Sequence, residues 1–321
     1  MVKVAIAGGS GQVAREVIDA LLAADKHEIT ILSRNEPSSK CVISPGLHWR
    51  VVDYNDKNAL AVALRGTHTL LSFVQPLSET GYQSQKNLID ASIVAQVTRF
   101  APSEWGAAGT VNMPWWVVKE QIRQYLKKVN ENGRVLEYTL FQPGLFLDYL
   151  ASPYQTAKYV APLDTTFDFQ NRRAFVVDGH ADAVMTFTTA ADLAAVVARA
   201  VGYNDGEWSE VSGIRGNRVT VSRVIEIGER VRGSSFAIDK VKLEDLEAGS
   251  LQTSWTMEKP KKHQAVSDEE AVALFKTVTI GMLLSSVKGA WDVSDEVNQL
   301  FPDYKFEEIE TFLARAWGGK P

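Results

Sequence analysis

The sequence contains a single cysteine among its 321 residues and has no long apolar segment. Cys41 cannot form an internal disulfide, which is typical of proteins in a reducing compartment such as the cytoplasm. The longest apolar candidate, residues 190–201, is interrupted by Asp192 and Arg199. It falls short of the roughly 18 apolar residues that a membrane span requires. We therefore expect a soluble cytoplasmic protein that does not associate with membranes.

An excess of positive charge is also absent. The chain has 34 Lys and Arg residues against 39 Asp and Glu residues, a net charge of −5. This balance argues against a general nucleic-acid binder. The histidines are scattered without metal-ligand spacing, so we predict no metal site. They are His27, His48, His68, His180 and His263.

Strand and helix signals alternate over the first 145 residues. Short apolar runs typical of buried parallel strands are separated by segments with apolar residues at helical spacing. This alternation predicts an α/β fold with a doubly wound parallel sheet of the Rossmann type. The predicted strands are residues 2–7, 28–33, 49–53, 69–74, 97–101 and 136–142. The predicted helices are residues 12–24, 59–64, 80–96 and one that begins near Pro114.

The pattern changes in the second half, where aromatic residues and prolines cluster before further helices. We predict a first domain of residues 1–145 and a smaller substrate-binding domain of residues 146–321, built on sheet extensions and able to interleave with the first. Ligands of such folds bind at the carboxyl ends of the strands, so the second half should supply a pocket wall. Its predicted elements are residues 175–178, 190–201, 208–212, 220–231, 265–284 and 306–317.

A glycine loop follows the first predicted strand. It has the form G-x-x-G-x-x-A, with Gly8 at the tight turn, Gly11 at the close approach of the backbone to a pyrophosphate, and Ala14 packing the helix on the strand. The helix N-terminus offers free N–H groups to the phosphates. The predicted dinucleotide site therefore includes the loop and first-turn residues, with Phe73 from the fourth strand. Its loop members are Gly8, Ser10, Gly11, Gln12 and Val13.

The residues after the second strand indicate which dinucleotide binds. An NAD site usually has an acidic residue at this position, but here Arg34 follows Ser33. The guanidinium of Arg34 suits a 2′-phosphate, and Lys40 would add a second positive charge if its loop folds back. Both features favour NADP(H). Asp53, after the third strand, either bonds the adenine amino group or caps the helix that follows.

Two Tyr-x-x-x-Lys spellings resemble the catalytic pair of short-chain dehydrogenases. Tyr82 and Lys86 lie one connection too early in the fold, and Tyr154 and Lys158 lie one connection too late. We interpret both as coincidences.

Lys119 lies on the helix between the fifth and sixth predicted strands. It borders an apolar stripe that includes Trp115 and Ile122, and Arg123 is a nearby like charge. Burial and a neighbouring cation both lower the pKa of an ammonium, as proton transfer requires. The alternative is an interfacial lysine whose ammonium reaches water.

Several segments together resemble the isoflavone-reductase group of NmrA-like atypical short-chain dehydrogenases. Residues 99–106 read R-F-A-P-S-E-W-G, and Lys119 lies fifteen residues after Glu104. Residues 142–146 and 301–306 resemble two further segments of that group. The resemblance implies an NADPH-dependent reductase of aromatic or phenolic small molecules. In that reading Lys119 is the general acid or base, acting directly or through the ribose hydroxyl or a water, and it also belongs to the predicted cofactor site. Trp105 departs from the phenylalanine of the group, which leaves the substrate open.

Aromatic residues around these motifs are candidates for a substrate pocket, although each could instead belong to the core. We predict that Trp105, Trp115, Phe146 and Tyr149 bind a small aromatic substrate; Tyr154 and Tyr159 are further candidates for the lining. The competing hypotheses are an NADP-binding redox sensor that regulates transcription without turnover, and an isomerase that keeps its dinucleotide bound.

Overall fold

A computed structural model of the chain describes residues 1–37, 45–257 and 268–321, the last range with side chains from residue 275 onward. A six-stranded parallel sheet lies at its centre. The strands are β1 Val2–Ala7, β2 His27–Ser33, β3 Leu47–Val51, β4 Thr69–Ser72, β5 Arg99–Ala101 and β6 Glu137–Tyr138. Their order is β3-β2-β1-β4-β5-β6, so the topological switch point lies between β1 and β4. The predicted fold class is confirmed.

Helices cover both faces of this sheet. They are α1 Gln12–Ala23, α2 Lys57–Ala63, α3 Glu79–Val94, α4 Val117–Val129 and α5 Ala190–Gly202. Alternate residues of β1 face opposite sides: Val4 and Ile6 pack with α1 and α5, whereas Ala5 and Ala7 pack with α2, α3 and α4. Burial on both faces explains why the strand reads as a continuous apolar run.

The second half adds short strands and further helices. The strands are β7 Leu140–Gln142, β8 Leu145–Phe146, β9 Phe167–Asp168, β10 Arg173–Val177, β11 Val184–Thr188, β12 Val211–Gly213, β13 Asn217–Thr220 and β14 Ala237–Val241. They pair as β12-β7, β13-β11-β8 and β14-β10-β9. The helices are α6 Val221–Arg232, α7 Leu243–Glu247, α8 Asp268–Val287, α9 Glu296–Leu300 and α10 Ile309–Trp317, with 3-10 turns at Pro114–Trp116 and Leu147–Ala151.

Helix α5 belongs to the second half of the sequence but packs against α1 on the central sheet. Leu193 and Val197 of α5 are fully buried in the same apolar cluster as Val17 of α1 and Ile29 of β2. The two halves of the sequence therefore contribute to one apolar cluster.

The predicted sixth strand, residues 136–142, divides into two. Residues Glu137 and Tyr138 form β6 beside β5, whereas Leu140 and the two residues after it form β7 beside β12. The division follows from the end of β5, because Pro102 has no backbone N–H with which to continue the pairing. The single strand predicted for residues 136–142 is therefore wrong.

Other predicted elements differ only at their ends. The third strand lies two residues earlier than predicted, and the extended segment predicted at 208–212 becomes β12, Val211–Gly213. The helix predicted from Pro114 starts as a 3-10 turn and becomes α-helical at Val117. Of the helix predicted at 265–284, residues 265–267 lie outside the described residues.

Within the described part of the chain, every helix is too short or too polar to cross a membrane. Across the same residues, His, Cys, Asp and Glu side chains form no group of three or more that could hold a metal ion.

Candidate active site

The glycine loop connects β1 to α1 at the switch point of the sheet. Gly8 has a φ of +73°, and a Cβ at this position would lie 3.0 Å from the backbone carbonyl carbon of Phe73. Gly11 donates its N–H to the carbonyl of Gly8 at 3.0 Å. Helix α1 then begins at Gln12 without a side-chain cap. Its first-turn N–H groups are therefore available to an anion.

Tyr54 holds this loop in place, although sequence patterns did not predict it as a site residue. Its hydroxyl accepts a hydrogen bond from the N–H of Gly8 at 2.9 Å and donates one to the carbonyl of Leu32 at 2.8 Å. Burial raises the pKa of Tyr54 to about 12, so the hydroxyl stays protonated and can keep its donor role. The only sign of this role in the sequence is the position of Tyr54, directly after Asp53 and the third predicted strand.

Arg34 lies at the mouth of a cleft of about 370 Å³ above the glycine loop. Its side chain is exposed and forms no ion pair with residues of the described ranges. None of the described lining residues is acidic. They are Gly8, Ser10, Gly11, Ser33, Arg34, Asn35, Tyr54, Phe73, Val74, Gln75, Ser78, Thr80, Gly81 and Ser84. Lys40, the second cation predicted for this site, lies outside the described residues.

Four predicted cofactor residues do not line this cleft with their side chains: Lys119, described below, and Gln12, Val13 and Asp53. Gln12 starts α1, but its side-chain oxygen accepts from the N–H of Ala161 at 3.1 Å, and Val13 packs against the core. The carboxylate of Asp53 accepts from the backbone and side chain of Asn55. Asp56 caps α2 instead, accepting from Ala59 at 2.9 Å. The prediction that Asp53 caps this helix is therefore wrong, since Asp56 stands one turn closer to it.

The cleft has the chemistry that an NADP-type dinucleotide needs. The close approach at Gly8 and the uncapped start of α1 fit a pyrophosphate. Arg34, with no acidic residue among the described neighbours in the cleft, fits a 2′-phosphate.

Trp105 lies between this cleft and a second cavity, because it lines the cavity and stacks on Phe73, which lines the cleft. Its ring stacks on Phe73 at 4.3 Å between centroids and lies 5.6 Å from the ring of Phe141. Its indole N–H donates to the carbonyl of Ser72 at 2.8 Å. These contacts hold Trp105 at a φ of +39°, a value that large side chains rarely adopt. Such local strain is common where a side chain must be aimed at a site.

The second cavity has a volume of about 200 Å³ and a mainly apolar lining, in which six aromatic side chains form what we call the aromatic wall. Trp105, Trp115, Phe146 and Tyr149, the predicted substrate residues, all line it. The full described lining is Trp105, Gly106, Trp115, Trp116, Gly144, Leu145, Phe146, Tyr149, Leu163, Asp164, Thr165, Met257, Val278, Met282 and Trp291. Tyr154 packs on Trp317, and Tyr159 lies beneath Arg15, so neither belongs to this wall. Trp116 and Trp291 were not predicted, because contacts distant in sequence place them here.

Lys119 lies directly behind this aromatic wall and is only 6% exposed. Its ammonium donates to the backbone carbonyl of Glu104 and stands 3.7 Å from the ring centroid of Trp116. Burial lowers the pKa of Lys119 to about 8; Glu104 opposes this shift and Arg123 adds to it. The alternative of an interfacial lysine that reaches water is therefore wrong.

The two Tyr-x-x-x-Lys pairs lie elsewhere. Lys86 bonds Asp90 at 3.4 Å on α3, and Lys158 pairs with Asp19 at the surface. None of the four residues lines either cavity.

Comparison with known proteins identifies the family. The model of the NmrA-like family matches residues 2–313. The chain belongs to the NmrA-like family. Oxidoreductase swnN of Metarhizium robertsii is 26% identical over 99% of this chain and 98% of its own length. Oxidoreductase BOA1 of Botryotinia fuckeliana is 32% identical over 74% of this chain and 78% of its own length. The predicted family and the predicted oxidoreductase class are confirmed.

Solved structures of the same fold include two reductases. The NADPH-dependent quinone oxidoreductase QOR2 of Escherichia coli, in complex with NADPH, superposes with a TM-score of 0.68 at 19% identity. That comparison covers 98% of this chain and 100% of the other. An isoflavone reductase gives a TM-score of 0.68 at 18% identity, with 98% of each chain covered.

Proposed function

We propose that this protein is an NADPH-dependent reductase of a small aromatic molecule and that Lys119 supplies the proton. One observation carries the proposal: a buried lysine stands behind the aromatic wall of a cavity, and Trp105 lies between that cavity and the dinucleotide cleft. The cavity, at about 200 Å³, suits a flat molecule of one or two rings. An aromatic ketone, an enone or a quinone-methide-like carbon would present the reducible bond.

The cleft residues favour NADPH as the cofactor. Gly8, Gly11 and the N–H groups of α1 would hold the pyrophosphate, and Arg34 would hold the 2′-phosphate. Family membership and the NADPH complex of QOR2 support this choice. When bound, the cofactor supplies a hydride.

Lys119 supplies the proton that balances this reduction. With a pKa of about 8, its ammonium is mostly protonated at neutral pH and can act as a general acid. The proton goes to the substrate atom that gains negative charge, directly or through a water. The neutral amine that remains is the form that burial favours, and water then returns a proton to it. Because Trp116 stands between the ammonium and the cavity, its indole must shift for direct transfer.

Steady-state reduction of aromatic ketones, enones and quinones tests this function. We expect turnover with NADPH, a rate that falls above pH 8 as Lys119 loses its proton, and a loss of at least about 100-fold in kcat for Lys119→Met.

For Arg34→Gln we expect NADPH affinity to fall by about 10- to 100-fold, with little change for NADH. The matched controls are the exposed Lys127→Met and Arg65→Gln, which should behave like the wild type.

Two outcomes would contradict the proposal. Unchanged turnover in Lys119→Met would remove the lysine from the chemistry. Tight NADPH binding without turnover of any compound would favour the redox sensor.

A further inference from the structure

Glu104 belongs to the P-S-E-W-G segment that marks the family resemblance, yet proton donation by Lys119 gives its carboxylate no task. Its side chain is 2% exposed and accepts two hydrogen bonds from Arg123, at 3.0 Å from Nε and 2.6 Å from Nη2. A third nitrogen of Arg123 donates to the carbonyl of Ala108 at 3.0 Å. The ion pair is therefore buried, bidentate and attached to the loop at two points.

The same residue also holds Lys119. The backbone carbonyl of Glu104 accepts the hydrogen bond of the Lys119 ammonium, while its carboxylate binds Arg123. Arg123 follows Lys119 by one helical turn, so both side chains leave α4 on the same face. The loop after β5 is thus fastened to α4 at the lysine and one turn beyond it.

We propose that the Glu104–Arg123 ion pair is a positioning device for Lys119, which holds the Glu104 carbonyl against the ammonium and keeps the charge around it balanced. This inference rests on the proposed function only for its effect on turnover. The placement of the ammonium is a separate claim with its own measurement.

The charges of the pair act on Lys119 in opposite directions. Besides burial, the influences resolved on the pKa of Lys119 are Glu104, which raises it, and Arg123, which lowers it. With the pair intact the two oppose each other, and burial dominates. Loss of Arg123 leaves the Glu104 carboxylate without this partner beside the ammonium, whereas loss of Glu104 leaves Arg123 with the partly exposed Glu120, at 3.7 Å, as its ion-pair partner.

Substitution of each partner should therefore shift the titration of Lys119 in opposite directions. We expect Glu104→Gln to lower the pKa by about one unit and Arg123→Met to raise it by a similar amount. The double variant should return it close to the wild-type value. Opposite shifts show that the charges of the pair act on the ammonium; the kcat of the double variant tests whether the pair also places it.

A second buried ion pair offers a matched control. Arg99 and Glu137 join β5 to β6 at 3.2 Å, and their side chains are 7% and 11% exposed. Neither is among the groups that act on Lys119. Glu137→Gln should weaken the fold as Glu104→Gln does, but it should leave the titration of Lys119 unchanged.

The titration is measured by NMR on protein with 13Cε-labelled lysine and no cofactor, with the Lys119 resonance assigned by its loss in Lys119→Met. Opposite shifts in the two single variants support the proposal, whether or not the protein turns over any substrate. Unchanged or parallel shifts overturn it. The same variants are then compared in the pH dependence of kcat.

The double variant Glu104→Gln with Arg123→Met removes both charges of the pair together, so it provides the test if a single variant does not fold. We expect its kcat to fall at least tenfold with KM little changed, because the ammonium loses its fixed position. A wild-type kcat would overturn the proposal. If Lys119→Met is fully active while the NMR shifts are opposite, the proposed function fails and the positioning role remains.

Discussion

Burial of the Lys119 ammonium lowers the stability of the folded protein, a penalty that solvent-exposed lysines do not have. A side chain 6% exposed holds an ammonium whose attractive contacts are a backbone carbonyl, an indole face and the partly offset charge of Glu104. Burial of a charge with incomplete compensation destabilises the folded state, and active sites accept this because a lysine with an ordinary pKa would be a poor proton donor at neutral pH.

Replacement of Lys119 should therefore stabilise the protein while it abolishes activity. The folded-state pKa of about 8 lies below the unfolded value of 10.5, so the full penalty applies below pH 8 and declines as the pH rises to 10.5. We expect Lys119→Met to raise the free energy of unfolding at pH 7 by about 1 to 3 kcal/mol, and by much less near pH 10.

Urea unfolding at the two pH values measures this difference. The exposed Lys127→Met, on the same helix, should change the stability by less than about 0.5 kcal/mol. A destabilised Lys119→Met at pH 7 would mean that the ammonium is better compensated than its contacts indicate.

Among the structural elements, the glycine loop constrains Gly8 in two ways: Gly8 has a positive φ, and it lies close to the backbone of Phe73. Gly8 and Gly66 have φ values of +73° and +76°, but only Gly8 has backbone atoms within reach of an added Cβ. We expect both Gly→Ala variants to lose about 1 to 2 kcal/mol of stability from the angle alone. Gly8→Ala should in addition lose NADPH affinity, because its methyl group forces the loop away from Phe73.

Urea unfolding and NADPH fluorescence titration measure the two effects. Gly66→Ala, with nothing within 4 Å of its new Cβ, is the control and should keep wild-type NADPH affinity. Equal NADPH affinity in the two variants would show that the approach to Phe73 plays no part in the cofactor site.

The structural elements also show where sequence patterns were sufficient. Apolar runs located β1 and β2, and helical spacing located α1 and α5 within two residues of their ends, because these segments bury regular apolar faces. The segment at residues 136–142 was also predicted as one strand but divides between two sheets. Its division depends on where its neighbour β5 ends, and the segment itself carries no sign of that.

For the whole molecule, the shared core predicts one cooperative unit. Leu193 on α5 is fully buried between elements from both halves of the chain. We expect Leu193→Ala to cost about 2 to 5 kcal/mol and to leave a single unfolding transition. Far-UV circular dichroism and tryptophan fluorescence should give coincident curves, since the helices and most tryptophans belong to the same unit.

The exposed Val94→Ala on α3 is the control and should leave the transition unchanged. Two separate transitions in either variant would instead indicate that residues 1–145 and 146–321 unfold independently.

Sequence patterns were enough to predict most strands of the sheet, the glycine loop, the arginine after β2 and the lysine on α4. Each depends on local spacing or on chain order, which a linear pattern records. Long-range packing, by contrast, joins Tyr54 to the glycine loop and β2, Trp116 to Lys119, and Glu104 to Arg123. Burial has the same origin: the lysine beside an apolar stripe is buried, and its pKa lowered, only because a distant loop and an indole close around its ammonium. Contacts between residues far apart in the chain set these energies, and no spacing along the sequence encodes them.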